Sequence, residues 1–267
     1  MSDKHKGVVL TSDDLGMHPA INRGIIRALS EGRISVTNIM VPCPSAREAV
    51  REIVEHGLPC GVHLTLTSEW EYMRTRPLTG AGGLCGPDGT MWRTHRDLAA
   101  AASDQEILQE MIAQIERAME WGLTPTHLDI HMIPAGSPVD PAERRVLRLA
   151  ERAGEGYGLN CTYSGEGSPD DGAKSRHFDS AVSTAGQTPQ QIDAWLSGLA
   201  PGVHHLTLHL SEDSDDLHQL SPPGNPWLKN YRDDDTRLLY DFLPAAMEKY
   251  GFRLLHPSDL PEIYRTS

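Results

Sequence analysis

The residues able to do chemistry stand in three short segments: Ser12-Asp13-Asp14-Leu15-Gly16, Gly61-Val62-His63-Leu64 and Thr126-His127-Leu128-Asp129-Ile130-His131. In each, acid or imidazole groups appear where a β-branched or leucine-rich run gives out. That places them at the C-terminal ends of strands, which is the catalytic face of a barrel of alternating strands and helices. Two histidines and a carboxylate converging there form a facial ligand set for one divalent cation, with positions open to water and substrate. Adjacent buried carboxylates such as Asp13 and Asp14 repel each other unless a cation neutralises at least one. Strand alternation sends neighbours to opposite sides, so one aspartate is expected to bind metal while the other moves protons. A helix cap is the alternative use of such a pair. The chemistry these groups suit is metal-dependent hydrolysis.

Alternation also sorts the histidines. Gly61, His63 and Thr65 share one face, and His127, Asp129 and His131 share another, opposite Leu128 and Ile130. Three polar side chains in a row toward an interior are costly to bury without partners. A metal with a hydrogen-bonded surround satisfies them, Asp129 orienting an imidazole and His127 lying behind the ligands. His204-His205-Leu206-Thr207-Leu208-His209 repeats the pattern and ends on His209, which could be a fourth ligand, a general acid or a rim residue; general acid is the reading adopted. The acidic cluster Asp213, Asp215 and Asp216 lacks EF-hand spacing and reads as a solvated turn. Ser164-Gly165-Glu166-Gly167-Ser168 is not a nucleophile elbow, no cysteine sits at a strand end beside a histidine, and no GxGxxG or P-loop is present.

The elements that must carry these groups alternate along the chain. Apolar runs at 7–12, 35–41, 60–66, 126–131, 159–163, 205–210 and 252–255 read as strands. Helical spacing covers 20–29, 45–55, 104–121, 141–153, 190–199 and 234–250, with Ser103 and Glu106 as the capping box of the third helix. The result is an α/β fold of about seven parallel strands, a distorted or incomplete TIM-barrel-like (β/α) barrel forming one domain over residues 1–267, with an open doubly wound sheet as the alternative. The glycine-containing stretches 67–94 and 165–186 follow strands and are expected to wall the site, with Trp70, Tyr72 or Trp92 offering a flat face to a ring or else pinning the loops.

Composition narrows the partners. A net charge of −13 argues against nucleic acid and anionic membranes, which need a basic surface. Cys43, Cys60, Cys85 and Cys161 have no CxxC spacing and suggest neither a zinc knuckle nor a disulfide framework. No apolar run reaches the length of a membrane span, and a polar N-terminus leads directly into a strand, so a cytoplasmic protein is expected.

Taken together, these segments resemble the YdjC-like carbohydrate deacetylases, the family of chitooligosaccharide deacetylase, related to the polysaccharide deacetylases. Thr11-Ser12-Asp13-Asp14-Leu15-Gly16 followed by Asn22-Arg23-Gly24-Ile25 is similar to that family's opening motif, with leucine in place of the usual phenylalanine. Gly61-Val62-His63-Leu64-Thr65-Leu66-Thr67, Thr126-His127-Leu128-Asp129-Ile130-His131 and Leu206-Thr207-Leu208-His209 resemble its later strands. The chain departs from the family in the residues after His131 and after His209, where Met132-Ile133-Pro134-Ala135 and Leu210-Ser211-Glu212 stand. The resemblance implies Asp13 as catalytic base, Asp14, His63 and His131 as ligands of a magnesium or zinc ion, a carbohydrate substrate losing an N-acetyl group, and a homodimer. Other barrel hydrolases acting on a phosphoester or cyclic amide, and a silent sugar-binding module, are the competing readings. A base retained beside a full ligand set argues against the last.

Overall fold

Strand β1 (Lys6–Leu15) is the axis of assembly: past Lys6 every residue in it is buried, and three other strands pair with it. The computed structural model describes residues 6–133, 139–163, 178–220 and 227–260. Helix α1 (Pro19–Ser30) follows, started by Pro19 and by a His18 side chain that accepts the Ala20 amide, and it turns Ile21, Ile25 and Leu29 onto the sheet. Then come β2 (Val36–Ile39), α2 (Ala46–His56), β3 (Cys60–Leu64), α3 (His95–Ala101), α4 (Asp104–Glu120), β4 (Leu128–Ile130) and α5 (Pro141–Glu155). The second half runs β5 (Ser180–Ser183), α6 (Pro189–Gly198), β6 (Val203–Leu208), α7 (Asp215–Gln219), α8 (Trp227–Arg237), α9 (Leu243–Tyr250) and β7 (Phe252–Leu254), with one π-helical stretch, Leu238–Phe242, joining α8 to α9.

All pairings between these strands are parallel, in the order β4-β3-β2-β1-β6-β5, with β7 beside the first residues of β1. The sheet curls into a half-barrel flanked by helices, an α/β TIM-barrel-like fold. Its outward faces carry Val8, Leu10, Val62, Leu64, Leu206 and Leu208, which pack under apolar helix stripes and form the main core. The inward faces are polar at the C-terminal end. Gly61 shows why the interior admits imidazoles: a Cβ there would stand 2.7 Å from the Asn38 Oδ1 and against the His127 ring. Among the described residues no helix is long and apolar enough to cross a membrane.

Three expectations are corrected. Residues 159–163 do not form a strand; Leu128 and Cys161 make a single parallel bridge that extends the edge of β4 without a second ladder step. A strand does occur inside the expected polar loop 165–186, because Ser180–Ser183 lies along β6 and takes its order from that neighbour despite a weakly apolar sequence. The rest of that loop lies largely outside the described residues. The acidic cluster after β6 opens α7, with Asp215 and Asp216 in its first turn, where carboxylates suit the helix dipole.

Candidate active site

The two aspartates owe their placement to a β-bulge. Thr11 and Ser12 pair with Val36 and Thr37, but Leu15 pairs with Ile39, so β1 spends one more residue than β2 over the same stretch. Asp14 absorbs the extra residue in the left-handed region at φ 70°, a conformation aspartate tolerates better than most side chains. Simple alternation had put the two carboxylates on opposite sides; the bulge instead turns both toward one cavity of about 160 Å³. Just beyond, the Asn22 side chain accepts the Gly16 amide at 2.6 Å and donates to the Ser45 carbonyl. Gly24 lets α1 approach the chain after β6, since a Cβ there would lie 2.5 Å from the Ser211 backbone.

Around this cavity the expected ligands come together. Asp14 Oδ1 lies 3.7 Å from His63 Nε2 and 3.4 Å from His131 Nδ1, and the three residues offer ligand atoms within 4.8 Å of one another. Donors bound at about 2.1 Å in tetrahedral or octahedral geometry stand roughly 3–3.4 Å apart, so the spacing suits one small cation after slight contraction. Asp13, His63 and Asp129 form a second, overlapping group. The charges also fit: Asp13, Asp14, Asp129 and Glu69 surround two imidazoles with Arg232 the one permanent cation in contact with Asp14 among the described residues. Asp14, His63 and His131 are thus one group that could hold a divalent cation here.

Each carboxylate has a different environment. Burial raises the Asp13 carboxyl above its ordinary value, against the pull of His63, and Asn38 Nδ2 donates to its Oδ1 at 2.8 Å. Burial would raise Asp14 too, but the Arg232 guanidinium, 2.6 Å from Oδ2, and His131 hold it well below the usual carboxylate range. Burial likewise works to raise Asp129, and the hydrogen bond and charge of His63 bring it below its ordinary value. For His131, burial favours the neutral ring, yet Glu69 and Asp14 carry its pKa up to about 10.

Asp129 Oδ1 faces His63 Nδ1 at 3.5 Å. His127 is fully buried lower in the barrel, hydrogen-bonded to Thr126 Oγ1, and burial lowers its pKa to about 4. His209 reaches the cavity from beyond β6; its Nδ1 lies 2.6 Å from the Tyr231 hydroxyl, and its amide donates to Asp235. His205, on the same face and deeper, is hydrogen-bonded to Thr11 and to the Tyr163 hydroxyl and stacked on Phe178. Trp70 lines the cavity, whereas Trp92 packs inside its own loop with its indole donating to the Gly83 carbonyl, and Tyr72 is 53% exposed away from the cavity lining.

The comparisons with known proteins follow this geometry. The sequence model of the YdjC-like protein family matches residues 7–242. The chain belongs to the YdjC-like family. A carbohydrate deacetylase of Geobacillus stearothermophilus is 33% identical over 149 residues, 54% of this chain and 56% of that relative. One from Vibrio cholerae is 34% identical over 129 residues, 46% of this chain and 48% of its own length. The matched stretch thus spans about half the length of the curated relatives. A crystal structure from Enterococcus faecalis V583, described as a candidate cellobiose-phosphate cleavage protein, covers 96% of this chain and 99% of its own with a TM-score of 0.75 at 22% identity, which establishes a shared fold.

In this YdjC-like chain, sequence reasoning missed Asn38, Glu69, Tyr231, Arg232 and Asp235. Tyr231, Arg232 and Asp235 come from α8, more than two hundred residues after Asp14, and no strand-end pattern marks them. The one available signal was their spacing: residues three and four apart share a helical face.

Proposed function

We propose that the protein is a metal-dependent carbohydrate deacetylase that hydrolyses an N-acetyl group of an amino sugar or short N-acetylated oligosaccharide. The observation that carries this reading is the meeting of a bulge-turned Asp13 with Asp14, His63 and His131 at one cavity. A divalent cation held by Asp14, His63 and His131 would lend Lewis acidity to an amide carbonyl and to water. Asp13, whose Oδ1 accepts a hydrogen bond from Asn38 Nδ2, is the base that accepts the water's proton, and its raised pKa brings it nearer to the value that such work favours. On the opposite wall His209, whose Nδ1 lies 2.6 Å from the Tyr231 hydroxyl, is the general acid: as an imidazolium it would donate Nδ1–H to the tyrosine oxygen and pass the Nε2 proton to the departing amine, leaving the neutral ring. Asp235 holds the His209 backbone, and Thr184 in turn donates to Asp235, so the ring is carried on a fixed support. Trp70 supplies an apolar wall against which a pyranose ring can lie.

The similarity to carbohydrate deacetylases supports the substrate class. The test is metal analysis of the purified protein followed by acetate release from N-acetylglucosamine and its short oligomers. Acetate release that stops with a chelator and returns with zinc or magnesium is the expected result. A metal-loaded protein that frees no acetate from any N-acetylated sugar overturns the proposal.

A further inference from the structure

Two imidazoles approach the same Asp14 oxygen through different ring nitrogens, His63 through Nε2 and His131 through Nδ1. Their rings are nearly perpendicular, at 78°, with centroids 5.3 Å apart. The nitrogen of each ring that points away meets a carboxylate. For His63 that partner is Asp129, a neighbour across the β3–β4 ladder. For His131 it is Glu69, whose Oε2 lies 2.9 Å from Nε2.

Glu69 belongs to no regular element, and its placement depends on the loop after β3. The Arg93 guanidinium donates to the Glu69 carbonyl at 2.8 Å, and the neighbouring Ser68 amide donates to the Trp92 carbonyl at 2.8 Å. The Ser68 hydroxyl also accepts the Thr75 amide. The loop is therefore tied on both sides of Glu69, and the side chain is delivered into a largely enclosed position, 15% exposed. On the other side of the contact, Met132 turns the chain at φ 65° immediately after His131.

Resting on the metal-dependent reading above, we infer that Glu69 is a positioning residue for His131: by accepting the Nε2–H it fixes the ring so that Nδ1 is the atom presented to a divalent cation beside Asp14. A carboxylate in this place sets the tautomer and raises the basicity of the ligating nitrogen, and loss of such a partner typically weakens metal binding ten- to a hundredfold. Glu69 itself touches neither the cation nor the substrate.

The experiment measures zinc affinity by titration calorimetry and the visible spectrum of the cobalt-substituted protein for wild type, Glu69→Gln, Glu69→Ala and His131→Ala. Glu69→Ala is expected to weaken zinc binding by roughly ten- to a hundredfold and to shift the cobalt bands. Glu69→Gln, which keeps an acceptor but loses the charge, should fall between it and wild type, with a metal-free melting temperature close to that of wild type. A structural role alone would lower melting temperature and leave the affinity of folded protein and the cobalt bands unmoved. Wild-type affinity and spectrum in Glu69→Ala overturn the inference; if that variant does not fold, the same result in Glu69→Gln overturns it. Should His131→Ala also bind zinc like wild type, the metal reading itself fails, which separates the two outcomes.

Discussion

Asp13 and Asp14 are chemically identical and adjacent, yet their surroundings divide them. Asn38 donates to one, and the Arg232 guanidinium pairs with the other. Asp13→Asn should therefore keep stoichiometric zinc while kcat falls by roughly a hundred- to ten-thousandfold, the range expected for loss of a general base. If Asp13→Asn loses zinc as readily as Asp14→Asn does, the two roles are reversed. Arg232 carries a separate prediction. It is 1% exposed, and removing it strands a buried Asp14 carboxylate. Metal-free Arg232→Met should lose about 3–5 kcal/mol in urea denaturation, the usual cost of breaking a buried pair from one side, and a change below about 0.5 kcal/mol would show that Asp14 does not depend on the guanidinium. At this scale the sequence was informative for His63, His131 and the aspartates because each ends a recognisable strand. It was silent on Arg232 and Glu69, whose importance comes only from what they touch.

The helices and strands carry the site with unequal precision. Alternation along β3, β4 and β6 correctly places His63, Asp129 and His205 on inward faces, since the side-chain period of two is a local property of extended backbone. It fails between Asp13 and Asp14, where the bulge inserts a residue that no composition rule announces. The long excursion after β3 is anchored by helix α4: Glu110 accepts from the Leu78 and Thr79 amides and the Thr79 hydroxyl, while Gln114 bonds both the amide and the carbonyl of Thr65. Both side chains are fully buried. Glu110→Ala leaves several of these donors without a partner and should cost about 3 kcal/mol. Limited proteolysis should then cut first within 67–94, and an undiminished melting temperature with an unchanged cleavage pattern would show that the loop is held by other contacts.

At the level of the whole molecule, the half-barrel encloses neutral imidazoles beneath a charged rim. His205 is fully buried, and burial lowers its pKa from 6.5 to about 4. In the unfolded chain it protonates near 6.5, so between pH 6.5 and 4 the unfolded state binds a proton that the folded state refuses. Stability due to this group is present above pH 6.5 and is lost as pH falls toward 4; from pH 7 to pH 5 the loss amounts to about 2 kcal/mol. Denaturation curves at the two pH values should show a smaller drop in His205→Asn than in wild type, and equal drops would place the acid sensitivity elsewhere. The sequence by itself determined the alternation of strands and helices, the parallel barrel-like fold and the strand-end location of the Asp and His motifs, because apolar periodicity and strand ends are written in neighbouring residues. Only the tertiary structure decided that both aspartates face one cavity, that Arg232 of α8 neutralises Asp14, and that Glu69 holds His131. Those contacts join positions from 62 to 218 residues apart, and their energies exist only when the curled sheet closes the distance.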